Sequence, residues 1–334
     1  MIESITRGRL ESLLAAAAGQ RIAIVGDAML DVYLHGDVER ISPEAPVPVV
    51  RVTERRQALG GAANAAQNVA AIGASCELVA AVGHDEAGGL VREMLAALGA
   101  ESRGLVRTAR RTTVKTRIVA RAQQMVRIDE EDAGDIGEDE AKAVAAAVRD
   151  AVAAADALVL EDYNKGLLVP GVIRAAIDAA VARGIPIVVD PKYRNFFCYH
   201  GATVFKPNRR ELESALGAEV DLDHPQALPD SLRRLGVGHL LLTLGDEGMV
   251  LLSDDGQIGR VPTTAREVYD VVGAGDTVTA YLAVMLAAGA SAAEAAVAAN
   301  YAAGVEVGKL GAATVSTGEV LDAFDAYQER RASA

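Results

Sequence analysis

The chain has 334 residues, 51% of them apolar, and a formal net charge of −13. That charge repels the phosphates of nucleic acids and anionic membranes, and 4% aromatics with no Trp leave little for base stacking, so neither class of partner is expected. Cys76 and Cys198 stand far apart and outside any metal-ligand spacing, as expected for reduced thiols in a cytoplasmic protein.

In chain order, Met1 to Gln20 carries Glu3, Arg7, Arg9 and Glu11 and lacks the apolar run of a signal peptide. Arg21 to Val25 predicts a strand ending in Gly26-Asp27. Val32 to Thr53 holds Pro43, Pro46 and Pro48 and alternates Val47, Val49 and Val52. Gly61 to Ile72 is helical, Glu77 to Val82 strand-like and Glu86 to Leu98 helical. Thr112 to Ile128 alternates Val114, Thr116 and Ile118, then Val126 and Ile128, with polar residues between. A helix over Glu138 to Ala155, a buried strand over Ala157 to Leu160 and a helix over Val172 to Arg183 follow. Ile185 to Val189 reads as a strand closed by Asp190-Pro191. His239 to Thr243 and Met249 to Leu252 are strands, and Asp276 to Ala288 and Ala292 to Val307 are helices. Thr277 to Ala293 is uncharged but broken by Thr279, Gly289 and Ser291, which reads as two packed helices rather than a membrane span.

Strands spaced by helices of this length imply right-handed βαβ units and a mostly parallel sheet covered on both faces, in one α/β domain over residues 1–334. The segments at about 32–53 and 112–128 break that rhythm. Their alternation predicts antiparallel strands with one wet face, forming a small β-subdomain that acts as a lid or pairs two subunits as a homodimer.

The most informative segment is Asp270-Val-Val-Gly-Ala-Gly-Asp276. Val278, Tyr281, Leu282, Met285 and Leu286 then repeat at helical spacing, so a helix begins at or near Gly275. Gly273, Ala274 and Gly275 lack bulk, and the free amides of a first helical turn point outward with a partial positive charge. They suit a transferring phosphoryl group, and Asp276 could take the proton from an attacking hydroxyl. The same residues would serve equally as a tight turn and a helix cap. Gly60-Gly61 opens a second helix, where a diglycine permits close approach of a ligand and Asn64 offers both donor and acceptor. Met29-Leu30-Asp31 follows the first strand, so Asp31 and Asn64 together form a candidate polyol clamp.

Gly60-Gly61-Ala62-Ala63-Asn64 and Gly273-Ala274-Gly275-Asp276, in this order near the two ends, resemble the two signatures of the PfkB (ribokinase-like) carbohydrate kinases. The resemblance covers nearly the whole chain. It implies a three-layer αβα sandwich with a β-lid, and ATP with Mg²⁺ as cofactors. Asn208-Arg209-Arg210-Glu211 matches the family's Asn-x-x-Glu element, which implies a place near Mg²⁺ and the nucleotide phosphates. Thr243-Leu-Gly245-Asp-Glu-Gly248 is similar to the nucleotide-side turn, and Asn300 to Gly308 to the helix and loop near the adenine. The resemblance also implies potassium beside the anion hole, at Asp270 and the Val272 carbonyl.

A narrower resemblance joins Arg40-Ile-Ser-Pro-Glu-Ala-Pro-Val-Pro-Val-Val50, Asp162-Tyr163-Asn-Lys165-Gly166 and Asp190-Pro191-Lys192 to the kinases of D-glycero-β-D-manno-heptose 7-phosphate. Those enzymes phosphorylate the anomeric hydroxyl on the way to ADP-heptose and lipopolysaccharide. Arg40, Lys165 and Lys192 are then candidates for the 7-phosphate, although loop cations are commonly solvated. Asp162 and Asp190 could position Mg²⁺ through water or merely cap their strands. No His-x-Gly-His motif for nucleotidyl transfer is found, so the expectation is a stand-alone kinase.

Three other readings compete. One is a kinase of the same family for fructose 6-phosphate, ribose or a nucleoside. Another is a non-catalytic sugar or nucleotide sensor on the same fold. A Rossmann dehydrogenase is disfavoured because Gly26 is not followed by the dinucleotide fingerprint, and no Walker loop occurs. The five histidines (His35, His84, His200, His224, His239) are too scattered for a metal site or a triad.

Overall fold

Residues 22 to 25 divide by parity: Ile22 and Ile24 join one buried apolar cluster and Ala23 and Val25 the other. A strand that is apolar on both sides needs cover on both sides, and the rest of the chain supplies it. The computed structural model describes residues 5–120, 123–132, 134–222, 228–253, 256–265 and 267–333, without the side chains of 228, 229, 231, 232 and 333. Positions 121 and 122 of the expected 112–128 segment, and His224, lie outside the described residues.

The chain begins with α1 (Arg7–Ala16), β1 (Arg21–Gly26), β2 (Ala28–Ile41), β3 (Pro48–Gly61), α2 (Ala62–Ile72), β4 (Ser75–Gly83) and α3 (Glu86–Ala97). It continues through β5 (Leu105–Thr108), β6 (Thr113–Ala120), β7 (Gln123–Glu130), α4 (Glu138–Ala153), β8 (Ala157–Glu161), α5 (Pro170–Arg183), β9 (Ile187–Asp190) and β10 (Val204–Phe205). Then come α6 (Arg209–Leu216), α7 (Leu228–Leu235), β11 (His239–Thr243), β12 (Met249–Ser253) and β13 (Ile258–Val261). The chain closes with α8 (Ala274–Ala287), α9 (Ala292–Glu306) and α10 (Thr317–Ser333).

The main sheet has the order β13-β12-β11-β10-β9-β8-β1-β4-β5. It is parallel from β5 to β11, and the β11–β12 and β12–β13 pairs are antiparallel. Residues of α2, α8 and α9 pack on one face and of α4 and α5 on the other, which is a three-layer α/β sandwich. Among the described residues no helix is long and apolar enough to cross a membrane.

A second sheet, ordered β3-β2-β6-β7, stands apart. Its β2–β3 and β6–β7 pairs are antiparallel as the alternation predicts, while the central β2–β6 pair joining them is parallel. β2 and β3 are longer than expected and include Asp31 and Gly60, so Asp31 belongs to this sheet rather than to a loop after β1. On one face β2 presents Asp31 and Tyr33 opposite Lys115 and Arg117 of β6. The other face carries Val52, Val126 and Ile128, which are 48%, 47% and 47% exposed.

One boundary moved for a clear reason. Ile185, expected in a strand, ends α5 instead: Gly184 takes φ 66°, and the Ile185 amide donates to the Ala180 carbonyl. This is the glycine-terminated helix end that satisfies the last carbonyls, and it delays β9 to Ile187.

Candidate active site

The parallel sheet delivers its chemistry at its carboxyl edge. Asp27 follows β1, Glu161 ends β8, Asp190 ends β9 and Lys206 follows β10. All four are buried. Above them α8 starts at Gly273, whose φ of 96° is a conformation open to glycine and strained for other residues. A Cβ on Gly273 would also lie 3.1 Å from Asn64 Nδ2 and from the Ala312 backbone. Gly275 is exposed at the mouth of this turn, and Asp276 just behind it is only 4% exposed.

Asp276 is held on both oxygens. Asn64 Nδ2 donates to Oδ2 at 2.7 Å, and the Tyr163 hydroxyl donates to Oδ1 in a short bond. Asn64 is placed by a buried relay: the Thr277 hydroxyl donates to Asn68 Oδ1, and Asn68 Nδ2 donates to the Asn64 carbonyl. That relay locks α2 to α8 and brings together the two glycine motifs from opposite ends of the chain. Burial pushes the Asp276 carboxyl up to about 6, against the two hydrogen bonds that lower it. Such a group is ionised at neutral pH yet basic enough to take a proton.

Tyr163 owes its position to Asp27. Asp27 Oδ2 accepts the amides of Tyr163 at 2.9 Å and Lys165 at 3.0 Å, and Oδ1 accepts that of Leu167 at 3.1 Å. Asp27 therefore shapes the loop after β8. The diglycine likewise makes room for protein groups: a Cβ on Gly60 would lie 2.7 Å from Asp31 Oδ2, and one on Gly61 2.4 Å from the Asp27 carbonyl. Asp31, 5% exposed, accepts from Arg117 Nη1 at 2.6 Å, and the Arg117 guanidinium lies over the Tyr33 ring.

Beneath Gly275 lies a buried acidic floor. Oxygens of Glu161, Asp190 and Asp276 lie within 4.8 Å of one another. Lys206 Nζ donates to Asp190 Oδ2 at 2.9 Å. Burial pulls the Lys206 ammonium down, but Asp190 and Glu161 together hold it above its ordinary value. Neither Glu161 oxygen has a hydrogen-bond partner. Burial, then Asp190 and Asp276, push Glu161 well above the usual carboxylate range. Hard carboxylate oxygens facing one space fit Mg²⁺, which binds through one or two carboxylates and keeps several waters.

Two cavities flank the loop that leads into α8, one lined by Val271 and the other by Asp270 and Val272. One of about 350 Å³ is lined by Thr243, Gly245, Gly248, Ala274, Gly275 and Asn300, so the expected nucleotide-side residues converge on the first turn of α8. The other, about 370 Å³, lies between the small sheet (Tyr33, Arg56, Arg117) and the loops carrying Asp270, Val272 and Ala312.

The remaining sequence candidates fall in different places. Asn208 and Glu211 form a capping box at the start of α6, with the Asn208 side chain accepting the Glu211 amide and the Glu211 carboxylate accepting the Asn208 amide. Lys192 pairs with Glu211 and lies over the Tyr163 ring, which puts it on the phosphoryl side of Asp276 rather than with Asp31. Arg209 reaches Glu247 at 3.6 Å, and Arg210 is exposed. Lys165 is paired with Glu131 at 2.7 Å. Arg40 is exposed near the tip of the β2–β3 hairpin, on the order of 30 Å along the strand from Asp31. Arg40 is therefore not brought to the cleft of its own chain.

Asp162 faces away from the acidic floor, because successive residues leaving a strand point to opposite sides. Its oxygens accept from the Tyr199 hydroxyl and the Asn164 amide instead. Asp270 joins two loops through the amides of Val272 and Gly311. Near it Glu306, fully buried, is pushed up to about 8 by burial and by Asp270 and Asp276. Tyr163, Glu161, Lys206 and Arg117 were not singled out as site residues from the sequence. For Glu161 there was a signal, a carboxylate directly after the wholly apolar run Ala157-Leu-Val-Leu160.

The pfkB family carbohydrate kinase model matches residues 20–318. The chain belongs to this family. It is a sugar kinase, and kinases of the pfkB family use ATP with Mg²⁺. Among curated relatives, the chain is 46% identical over 317 residues to the bifunctional protein HldE of Caulobacter vibrioides, covering 93% of this chain and 65% of that protein. It is 43% identical to that of Rhodospirillum rubrum, covering 94% of this chain and 64% of the relative. The chain thus spans less than two thirds of the length of these relatives. Among solved structures, a putative ribokinase from Agrobacterium tumefaciens superposes with TM-score 0.77 at 21% identity, covering 93% of this chain and 99% of that one. Phosphofructokinase-2 from Escherichia coli in complex with potassium gives TM-score 0.77 at 20% identity, covering 92% and 99%. These two likenesses establish the ribokinase-like fold.

Proposed function

We propose that this pfkB-family kinase phosphorylates the C1 hydroxyl of D-glycero-β-D-manno-heptose 7-phosphate, giving the 1,7-bisphosphate for ADP-heptose and lipopolysaccharide synthesis in the cytoplasm. One observation carries the catalytic part. Asp276 is a buried carboxylate with a raised pKa, directly behind the first turn of α8, whose Ala274 and Gly275 line the nucleotide-side cavity. The heptose assignment is supported by the segments around Arg40, Tyr163 and Lys192, and by the likeness to the HldE relatives over most of this chain.

In this reading Asp31 and Asn64 hold sugar hydroxyls, and Asp276 exchanges its Tyr163 bond for the incoming C1 hydroxyl and takes its proton. Amides of Gly273, Ala274 and Gly275 stabilise charge on the phosphoryl group in flight, and transfer is direct, with no phosphoenzyme. Glu161 and Asp190, whose oxygens face one space, would hold Mg²⁺, which when bound neutralises charge on the nucleotide phosphates. Arg56 and Arg117, which line the second cavity, take the place of Arg40 as cations for the sugar's own phosphate. Asp270 and the Val272 carbonyl are the proposed potassium site. The half-exposed Val52, Val126 and Ile128 make the outer face of the small sheet a homodimer surface.

The test is Mg·ATP with a panel of sugars, following ADP release and the site of phosphorylation by NMR. Rapid turnover of the heptose 7-phosphate at C1, with little on hexose phosphates or ribose, is expected. Preference for fructose 6-phosphate or ribose would overturn the heptose assignment and leave Asp276 in its role. Absence of turnover on every sugar would favour a sensor.

A further inference from the structure

We propose that the Tyr163 hydroxyl stands in for the acceptor hydroxyl at Asp276 until sugar binds, and so keeps water from being phosphorylated in its place. The two oxygens of Asp276 are held differently. Oδ2 accepts from Asn64 Nδ2, and Asn64 is fixed in turn by the buried Thr277–Asn68 relay between α8 and α2. Oδ1 accepts from the Tyr163 hydroxyl, at the end of a side chain that no such relay fixes. Turning that one side chain uncovers Oδ1, which makes it the oxygen an incoming hydroxyl can reach. Asp276 is 4% exposed and Tyr163 is half-buried, so the ring forms the outer layer over the base.

The ring lies between the diglycine and the phosphoryl side. A Cβ on Gly61 would lie 3.5 Å from Tyr163 Cδ2, and Lys192 Nζ lies 5.4 Å from the ring centroid. The backbone of Tyr163, by contrast, is pinned. Asp27 accepts the amides of Tyr163, Lys165 and Leu167, and Asp162 Oδ1 accepts that of Asn164 at 2.7 Å. Arg110 Nη2 donates to the Lys165 carbonyl at 2.7 Å, and Asn164 takes φ 55°, a left-handed conformation that these bonds hold in place. The gate is therefore the side chain alone, turning about its own torsions. Without it, a water at Oδ1 gives its proton to Asp276 as its oxygen bonds to the γ-phosphorus of ATP. The bond to the β-phosphate oxygen breaks, and ADP and inorganic phosphate leave. A sugar hydroxyl that displaces Tyr163 follows the same course and yields phosphosugar and ADP instead. The gate rests on Asp276 being the base of the proposed reaction, but it concerns what occupies that base when sugar is absent.

The experiment is ADP release from Mg·ATP by the chain without any sugar. Tyr163→Phe keeps the ring and removes the donor, and should raise this hydrolysis about tenfold or more over the wild type. Adding Asp276→Asn to it should return hydrolysis to the wild-type level or below. The apparent KM for the sugar should not rise in Tyr163→Phe, because the wild type must break the same bond to bind it. Tyr199→Phe controls for a loosened loop. The Tyr199 hydroxyl donates to Asp162 at 2.8 Å rather than to Asp276, so its loss should leave sugar-free hydrolysis at the wild-type level. Hydrolysis by Tyr163→Phe no faster than the wild type's, or an equal rise in Tyr199→Phe, would overturn the proposal. So would a rise that survives Asp276→Asn, or an increase in the sugar KM. Loss of sugar turnover in Asp276→Asn without any gain in Tyr163→Phe would remove the gate and leave the base, so the two readings fail separately.

Discussion

At the floor of the cleft, where the nine-stranded sheet ends, Glu161, Asp190, Asp276 and Lys206 are all at most 5% exposed and tied to helix and strand ends. On the wall that the four-stranded sheet provides, charged groups such as Arg51, Glu39 and Arg56 stand in solvent with side-chain exposures of 60% or more. The floor is covered on both faces by helices, so each polar group there must find a partner or a ligand. The wall has one face to the cleft and one that carries the half-exposed Val52, Val126 and Ile128, and in the proposed reading it serves as a lid and a homodimer surface. Preorganisation and desolvation belong to the first region, and access and recognition to the second.

The largest expected effect tests the floor. Asp276→Asn should lower kcat by about 10²–10⁴ with KM for both substrates little changed, because only transition-state proton transfer is removed. Near-normal turnover in steady-state assays would remove Asp276 from the base role and dissolve the contrast. Next, Lys206→Met leaves Asp190 buried beside Glu161 without its ammonium. It should cost about 3–5 kcal/mol in urea unfolding. Arg51→Ala in the small sheet, which breaks the exposed pair with Glu39, should cost at most about 1 kcal/mol. Equal costs would show that the two regions do not differ in the way their burial implies.

The pH response is smaller and follows from the Asp276 value of about 6. Its ionised form is the base, so kcat should rise about tenfold from pH 5 to pH 7 and then level off. Stability runs the other way. The folded value lies above the ordinary 3.8, so the stabilising contribution is full below about pH 3.8 and is lost as pH rises through about 6. Asp276→Asn should therefore shrink the drop in Tm between pH 5 and pH 8, and an unchanged drop would assign it to other groups. The mildest test concerns the wall. Ile128→Asp should convert the proposed homodimer to a monomer in sedimentation velocity while leaving the pH profile in place, and a wild type that sediments as a monomer would remove the proposed interface.

Much of the frame was legible in the residues themselves. The apolar runs at Arg21 to Val25 and Ala157 to Leu160 became parallel strands, and the alternation at Val114, Thr116 and Ile118 marked the second sheet, because hydrophobic period reports how many faces are covered. Gly273 to Asp276 announced a helix start that exposes amides, since that chemistry is local to one turn. What was not legible depends on contacts between distant residues. The Asn64–Asp276 bond spans 212 positions and the Tyr163–Asp276 bond 113, and no local pattern encodes either. The parallel β2–β6 pair brought Arg117 to Asp31 while Arg40 stands near the hairpin tip, and that pairing of distant strands is encoded by no local pattern.

Composition, period and the two glycine motifs thus determined a phosphoryl-transfer fold and its turn, because each rests on backbone geometry over a few residues. Tertiary structure alone decided which carboxylates share a space and which cations reach it, because burial and charge pairing are properties of neighbours in space.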